Sequence, residues 1–257
     1  QYDYFVKDHL GNVRMLLTEE QKTDAYPAAT METAQAATEE QLYANLPQTR
    51  IIKPAGYPTD TYTNPNDYVA KTSGSGQKIG PAITLKVMAG DQFNLRVSSW
   101  YKLNGATPQA PQSPVTDLLA AMAGGIGNIT GGHGGATAAQ ITSSGVLTPG
   151  VTGFLGSQTY NSSRPKAFIN WIMLDEQFKY YSGGFEQVGA DQEFKTHVFN
   201  NIPVTKNGYL YIYVSNETPN IDVFFDPAKA GQVVHTRGPI LEENHYYIRL
   251  LIIPLTY

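Results

Sequence analysis

The side chains best suited to chemistry in this sequence are aromatic residues that stand on strand-like segments beside amide groups. A flat ring can stack on the apolar face of a sugar, while nearby amide and carboxylate groups bind the hydroxyls. Trp100 and Tyr101 end a strand-like run and precede a polar loop, which makes them the first ligand candidates. The other predicted ligand-binding residues are Trp171, Tyr211 and Asn216.

Three tyrosines, Tyr209, Tyr211 and Tyr213, alternate along one strand-like segment. Because successive strand residues point to opposite faces, all three lie on the same face of that strand. Such a face is core when a second layer covers it, and it is a ligand platform when it stays open and concave. The sequence leaves both interpretations open.

Carboxylates at the two ends of the strand-rich region suggest a metal site. Calcium takes about six to eight oxygen ligands, many of them from carboxylates. Carbohydrate-binding jelly rolls often hold a structural calcium between a glutamate on the first strand and an aspartate on the last. The sequence matches that arrangement at Glu32 or Glu40 and at Asp226, so we predict these three as metal ligands. Alternatively, Asp226 ends a strand and accepts backbone N–H groups.

Patterns typical of catalysis are scarce. The chain has no cysteine, which excludes a thiol nucleophile, a thiolate metal site and a disulfide framework. Its five histidines lack the close spacing of a metal motif. Glycoside hydrolysis needs two facing carboxylates, and Asp175 or Glu176 with Glu186 is a conceivable pair. We assign no catalytic residue and keep a β-sandwich polysaccharide hydrolase or lyase as an alternative function.

Composition and charge exclude several classes of protein. The chain has 18 basic and 22 acidic residues and a net charge of −4, so it offers no broad basic surface to nucleic acid. No apolar run approaches the roughly 18 residues that a membrane-spanning helix needs. Only 16% of the residues are charged, which together with abundant Tyr, Thr, Asn and Gly favours a secreted or cell-surface β-protein. The strand-like start at Gln1 predicts a mature product or an excised fragment.

Alternation of apolar and polar residues predicts the fold class. Residues 83–87 and 93–99 each alternate, and Gly90-Asp91 between them predicts a hairpin with one apolar face. After residue 165, short strand-like segments recur about every 10 residues. These signals predict an all-β fold, a jelly-roll-like antiparallel β-sandwich made of about residues 31–103 and 165–236.

Three segments fall outside that pattern. Residues 114–164 combine helix-like sequence with a glycine-rich run, which predicts a small helical insertion within a sandwich domain of residues 31–236. Residues 1–17 predict a hairpin, and residues 237–257 predict a strand segment. Because open edge strands invite aggregation, we expect the two end segments to pair with each other or with the sandwich edge. If they normally join a larger shell, we expect them to expose apolar edges and to self-associate.

The two ends also carry a family resemblance. Residues 4–14, Tyr-Phe-Val-Lys-Asp-His-Leu-Gly-Asn-Val-Arg, resemble the signature that opens the core of RHS/YD-repeat proteins of Bacteroidetes. Residues 223–226, 233–235 and 238–247 resemble the segment that leads into Tyr-Pro-Phe-Gly-Leu in that family. The middle of the chain resembles its carbohydrate-binding-module-like β-sandwich insert. Two departures occur: residues 227–231 interrupt the second segment, and residues 248–255 replace the Pro-Phe-Gly-Leu run.

This resemblance implies a secreted or surface bacterial parent protein of the polymorphic-toxin or adhesin type, with the remainder of that parent chain as a partner. We predict a non-catalytic glycan-binding or adhesion-type module whose partner is a polysaccharide or glycan. The first alternative is a structural element of an RHS shell or filament, in which every tyrosine serves packing. Burial of Trp100 and Tyr101 would favour that alternative.

Overall fold

Strands dominate residues 2–58, 65–127, 145–226 and 233–243, the parts of the chain that the computed structural model describes. The strands are, in chain order, β1 (Asp3–Lys7), β2 (Val13–Thr18), β3 (Thr23–Tyr26), β4 (Tyr43–Ala44), β5 (Arg50–Ile52), β6 (Tyr68–Thr72), β7 (Ile79–Val87), β8 (Gln92–Tyr101), β9 (Ala167–Asp175), β10 (Tyr180–Gln187), β11 (Lys195–Pro203), β12 (Gly208–Asn216), β13 (Val223–Asp226), β14 (Val233–Thr236) and β15 (Ile240–Glu243). The helices in the same ranges are α1 (Ala36–Glu39), α2 (Leu46–Thr49), α3 (Val115–Gly127) and α4 (Leu147–Ser157). None of the helices in these ranges is long and apolar enough to span a bilayer.

Two antiparallel sheets form a sandwich. The five-stranded sheet has the order β10-β9-β12-β7-β4, and the seven-stranded sheet has the order β3-β14-β8-β13-β6-β5, with β11 also paired to β8. The long strand β8 accommodates three partners because β14 pairs with its first half, β13 with its second half and β11 with its other edge. The antiparallel all-β sandwich predicted from the sequence is therefore confirmed.

Alternating apolar residues from both sheets fill the space between them. One face of a strand carries every second residue, so the inner face of β8 presents Phe93, Leu95 and Val97. The facing sheet contributes Leu85 from β7 and Leu210 from β12 to the same core. The periodicity that predicts the strands is thus the periodicity that builds the core.

β7 and β8 do not form the hairpin predicted from Gly90-Asp91, because they belong to different sheets. The connection between them is bound to other parts of the chain. The Gly90 N–H donates to the Val204 carbonyl at 2.9 Å, and the Asp91 carboxylate accepts the N–H groups of Met88 and Gly238. Alternation identifies the buried face of a strand but does not specify its partner.

The helices of the predicted insertion cover the outer face of the five-stranded sheet. Met122 of α3 and Phe154 of α4 are buried in a cluster with Ile172, Tyr211 and Tyr213 of that face. Since a second layer covers Tyr211 and Tyr213, this part of the tyrosine stripe is core and not an open ligand platform.

β3 extends the sandwich beyond its predicted start at residue 31. Thr23–Tyr26 pair with Val233–Thr236 at the edge of the seven-stranded sheet. The Arg237 guanidinium also binds the Asp24 carboxylate at 2.7 Å. Residues 18–30 are mostly polar, and β3 gains its extended form from this partner strand rather than from its own sequence pattern.

A third sheet, of order β1-β2-β15, joins the two ends of the described chain. The predicted hairpin is present between β1 and β2, where the Asp8 carboxylate accepts the N–H groups of Leu10 and Asn12. Gly11 takes a φ of +84° in this turn, which glycine adopts without strain. β15 pairs with β2, as expected for end segments that cover each other's edges. The predicted strand beyond residue 243 and the departures from the family pattern lie outside the described residues.

Candidate functional site

Four of the five predicted ligand-binding residues belong to the protein interior. Trp100, Tyr101 and Tyr211 are 3%, 1% and 0% exposed, and Asn216 is fully buried. Tyr101 faces the space between the sheets, and Tyr211 lies beneath the helices. Trp100 packs against Tyr57 at a ring-centroid distance of 5.3 Å. These side chains present no open surface to a sugar, so they do not form the predicted ligand site.

Asn216 and Trp171 have protein partners instead. The Asn216 amide nitrogen donates to the backbone carbonyls of Thr72 at 3.0 Å and Ile221 at 2.7 Å. Trp171 is half-buried and packs so closely on Gly184 that a Cβ at position 184 would lie 2.5 Å from the indole Nε1. These contacts give both residues a structural role: Asn216 holds a loop, and Trp171 covers Gly184.

Two of the predicted metal ligands, Glu32 and Glu40, bind other groups of the protein. Glu32 is buried, and its Oε1 accepts the backbone N–H groups of Asp67 and Tyr68 at 2.8 and 3.0 Å. Glu40 pairs with the Arg50 guanidinium at 3.1 Å. Each carboxylate therefore already has its own protein partners.

The third predicted metal ligand, Asp226, lies 3.0 Å from the Lys53 ammonium. A calcium ion at this carboxylate would have to displace that cation. Within the described ranges, no group of three or more His, Cys, Asp or Glu side chains is placed to hold a metal ion. The three predicted ligands thus already have protein partners, and the structural calcium stays a prediction.

A buried Ser–His–Glu chain resembles the relay of a serine hydrolase. Ser99 Oγ lies 2.8 Å from Nε2 of His197. His197 Nδ1 lies 3.0 Å from Oε2 of Glu186, without hydrogen-bond geometry. A catalytic serine must meet its substrate, whereas here Ser99 and His197 are fully buried and Glu186 is the partly exposed member. The Ser99–His197–Glu186 series links the two sheets of the sandwich. It does not suit acyl transfer, because its serine is buried and its glutamate is the exposed end.

The conceivable hydrolytic carboxylates do not come together. Glu186 on β10 lies opposite Ile169, whereas Asp175 ends the paired strand β9. At about 3.3 Å per residue, the two positions are separated by roughly 20 Å. Glycosidases place their carboxylates about 5 to 10 Å apart. Asp175 instead accepts the N–H groups of Gln177 and Lys179 in the turn that follows β9.

The burial of His197 predicts a pH dependence of stability. Burial lowers the pKa of His197 below its ordinary value of 6.5, although the Glu186 carboxylate opposes the shift. The unfolded chain therefore binds a proton more readily than the folded protein, and the free energy of unfolding falls as the pH drops through about 6.5. We expect the melting temperature to decrease from about pH 7.5 to about pH 5.5, and His197→Gln to flatten that slope. His9→Gln, at an exposed turn, should keep the wild-type slope, and an equally steep slope in His197→Gln would contradict the assignment.

A groove of about 570 Å³ opens at one side of the seven-stranded sheet. We call it the edge groove, and it lies between the segment that follows β5 and the segment that precedes β6. The Lys53 N–H joins these segments by donating to the Asp67 carbonyl at 2.9 Å, and Glu32 fixes the second segment from behind. The residues that line it include the polar Lys53, Asn66 and Asp67 and the larger apolar or aromatic Ile52, Tyr57 and Tyr68.

A buried ion pair and an aromatic cluster support the edge groove. The Lys53 ammonium pairs with Asp226, contacts the side-chain oxygen of Asn66 and lies 5.1 Å from the centre of the Tyr57 ring. The Tyr57 hydroxyl donates to Asp226 at 3.2 Å, and its ring packs edge-on against Trp100. Two residues selected from the sequence, Trp100 and Asp226, thus support this surface from below instead of lining it.

Sequence reasoning missed the exposed residues of the edge groove. They lie within residues 47–80, where prolines alternate with Thr, Asn, Ser and Gly and predict irregular chain. The available signal was a tyrosine at position 57 and the pair Asn66-Asp67 between two strands. Irregular chain has no periodicity, so the sequence did not indicate which of these side chains share a surface.

No protein-family model matches this chain, and no curated protein sequence is significantly similar to it. The resemblance to RHS/YD-repeat proteins therefore stays a prediction that depends on the motifs at residues 4–14 and 223–247. The function has to be argued from the chemistry of the edge groove.

Proposed function

We propose that this chain is a non-catalytic glycan-binding module of a secreted or cell-surface protein of the RHS type, and that the edge groove is its binding site. The observation that carries the proposal is the composition of this groove, which combines apolar surface with amide and carboxylate groups. Its volume of about 570 Å³ falls within the roughly 300–1,000 Å³ that small-ligand sites occupy.

The side chains of the edge groove match the two requirements of sugar recognition. Ile52 is 69% exposed and, with the half-buried Tyr68, which also packs against the core between the sheets, lines the groove with apolar surface for the C–H face of a pyranose. Asn66 supplies an amide, and the exposed Asp67 carboxylate supplies acceptors for hydroxyl groups. The buried Lys53–Asp226 pair beneath them keeps this surface in one shape.

The charges at the edge groove favour a neutral glycan. The Lys53 ammonium is paired with Asp226, so it adds little net positive charge to the surface. The exposed Asp67 carboxylate and the nearby buried Glu32 carboxylate both contribute negative potential. An acidic polysaccharide would be repelled by these two groups.

Affinity electrophoresis with a panel of neutral and acidic polysaccharides tests the proposal. We expect a neutral polysaccharide to retard the protein, and Asp67→Ala to weaken that binding about 10-fold, because a hydrogen bond to a charged group contributes about 1.5–3 kcal/mol. Tyr68→Leu, which removes the ring but keeps apolar bulk, should weaken binding by a similar factor. The matched controls are Asp117→Ala and Tyr160→Leu, which change a carboxylate and a ring outside the edge groove.

Retention that survives both groove variants would show that the glycan binds elsewhere. No retention by any polysaccharide would contradict glycan binding and favour the alternative of a structural element in an RHS shell or filament. The burial of Trp100 and Tyr101 is the observation that favours this alternative, because packing alone accounts for both residues.

A further inference from the structure

Among the described strands, β1 has one edge without a partner strand, and its surface is exposed. All five of its residues are exposed, and its central residue Phe5 is 60% exposed. One edge of β1 pairs with β2, and no other strand in the described parts of the chain pairs with the second edge. The backbone donors and acceptors along that second edge are therefore available to an additional strand.

The sequence of β1 is complementary to itself. Asp3 and Lys7 carry opposite charges at its two ends, with Phe5 midway between them. When two copies pair antiparallel about Phe5, Asp3 of each copy lies opposite Lys7 of the other. Parallel pairing in register would instead place like charges side by side, so the charges select the antiparallel arrangement.

On both faces of such a strand pair, the side chains that lie opposite each other are complementary. Alternation places Asp3, Phe5 and Lys7 on one face, where two ion pairs flank a contact between the two Phe5 rings. On the other face, Tyr4 of each copy lies opposite Val6 of the other, which is a favourable pairing of an aromatic and a β-branched side chain. The irregularity in the β1–β2 pair comes from an extra residue on β2, so the alternation of β1 is uninterrupted.

We infer that β1 is a self-association edge, through which two copies of this chain pair antiparallel about Phe5 and join their three-stranded sheets into one six-stranded sheet. The contact is isologous, as expected for a two-fold dimer. Because one short strand from each copy forms it, the interface is small and the dimer dissociates readily. The inference is independent of glycan binding, and it adds that a dimer carries two edge grooves and so binds a repeating ligand with higher avidity.

Sedimentation equilibrium over a concentration series tests this interface through a charge exchange. Lys7→Asp or Asp3→Lys alone places like charges in both ion pairs, and we expect either change to weaken self-association about 10-fold. The double variant Asp3→Lys/Lys7→Asp restores both pairs with the signs exchanged and should recover the wild-type dissociation constant to within about 3-fold. Phe5→Thr, which keeps a good strand former but removes the ring, should weaken self-association without any charge effect.

Several outcomes would overturn the inference. A wild-type protein that stays monomeric up to about 1 mM would remove the interface altogether. Single charge variants that self-associate as strongly as wild type, or a double variant that fails to recover, would refute the antiparallel register. Melting curves for every variant verify that the fold is kept, as expected for side chains that are all exposed. Glycan retention is measured separately, so a failure here is distinguishable from a failure of the proposed function.

Discussion

Gly208→Ala is expected to lower the free energy of unfolding by about 3 kcal/mol or more, from backbone strain and steric overlap together. Gly208 has a φ of +151°, which residues with a Cβ rarely adopt. A Cβ at this position would overlap the Leu174 carbonyl oxygen and lie 2.7 Å from the Asp175 carbonyl carbon. Both are backbone atoms of the paired strand β9, and β12 is the central strand of its sheet, so neither strand can shift without disturbing its neighbours.

Gly153 in α4 provides a control with the opposite sign. Nothing lies within 4 Å of a Cβ built at Gly153, so Gly153→Ala should raise the free energy of unfolding by about 0.5–1 kcal/mol through higher helix propensity. Equilibrium unfolding in urea measures both changes. A loss below about 1 kcal/mol in Gly208→Ala would show that β9 and β12 separate more easily than their backbone contacts indicate.

Asp226→Ala is the second large loss, and we expect it to cost about 3–5 kcal/mol of stability. The side chains of Lys53 and Asp226 are 13% and 2% exposed, and their charged atoms lie 3.0 Å apart. Removing the carboxylate leaves a largely buried ammonium without its counter-ion. The Asn66 oxygen and the Tyr57 ring also contact that ammonium, but neither carries a compensating charge.

A solvated pair at the same distance gives the control. Lys71 and Asp222 also lie 3.0 Å apart, but their side chains are 40% and 43% exposed. Surface ion pairs contribute about 0–1 kcal/mol, so Asp222→Ala should cost far less than Asp226→Ala in the same urea titration. The double variant Lys53→Met/Asp226→Leu, which removes both charges, should recover most of the loss. Equal losses in the two single variants would contradict a buried pair beneath the edge groove.

Alternation along single strands was sufficient to predict the fold class. It did not predict which strands pair with each other. β7 and β8 each show the pattern that predicts a strand, yet they lie in different sheets and take partners from far along the chain. Alternation likewise placed Tyr211 and Tyr213 on one face. What covers that face is a pair of helices from another segment, and only the folded chain brings them together.

At the candidate site, the local sequence also failed to predict which distant residues come into contact. Trp100 ends a strand beside a polar loop, and this position in the sequence predicts an exposed side chain. Trp100 is buried against Phe224 and against Tyr57, which belongs to an irregular segment earlier in the chain. Asp226 was predicted to bind a metal because it is a carboxylate at a strand end, but a lysine from the same distant segment neutralises it. Burial and charge pairing at this site depend on long-range contacts, and local patterns carry no information about them.

The pairing of β3 with β14 has a consequence for where the sandwich begins and ends. Thr23 begins β3, Thr236 ends β14, and the two residues lie opposite each other. Neighbouring strands are about 4.8 Å apart, so the sandwich is attached at two points separated by roughly one strand spacing. A unit attached in this way can be spliced into a surface turn of a host protein without moving the two sides of that turn. Residues 23–236 therefore begin and end at neighbouring points, a geometry that a single surface turn can accommodate.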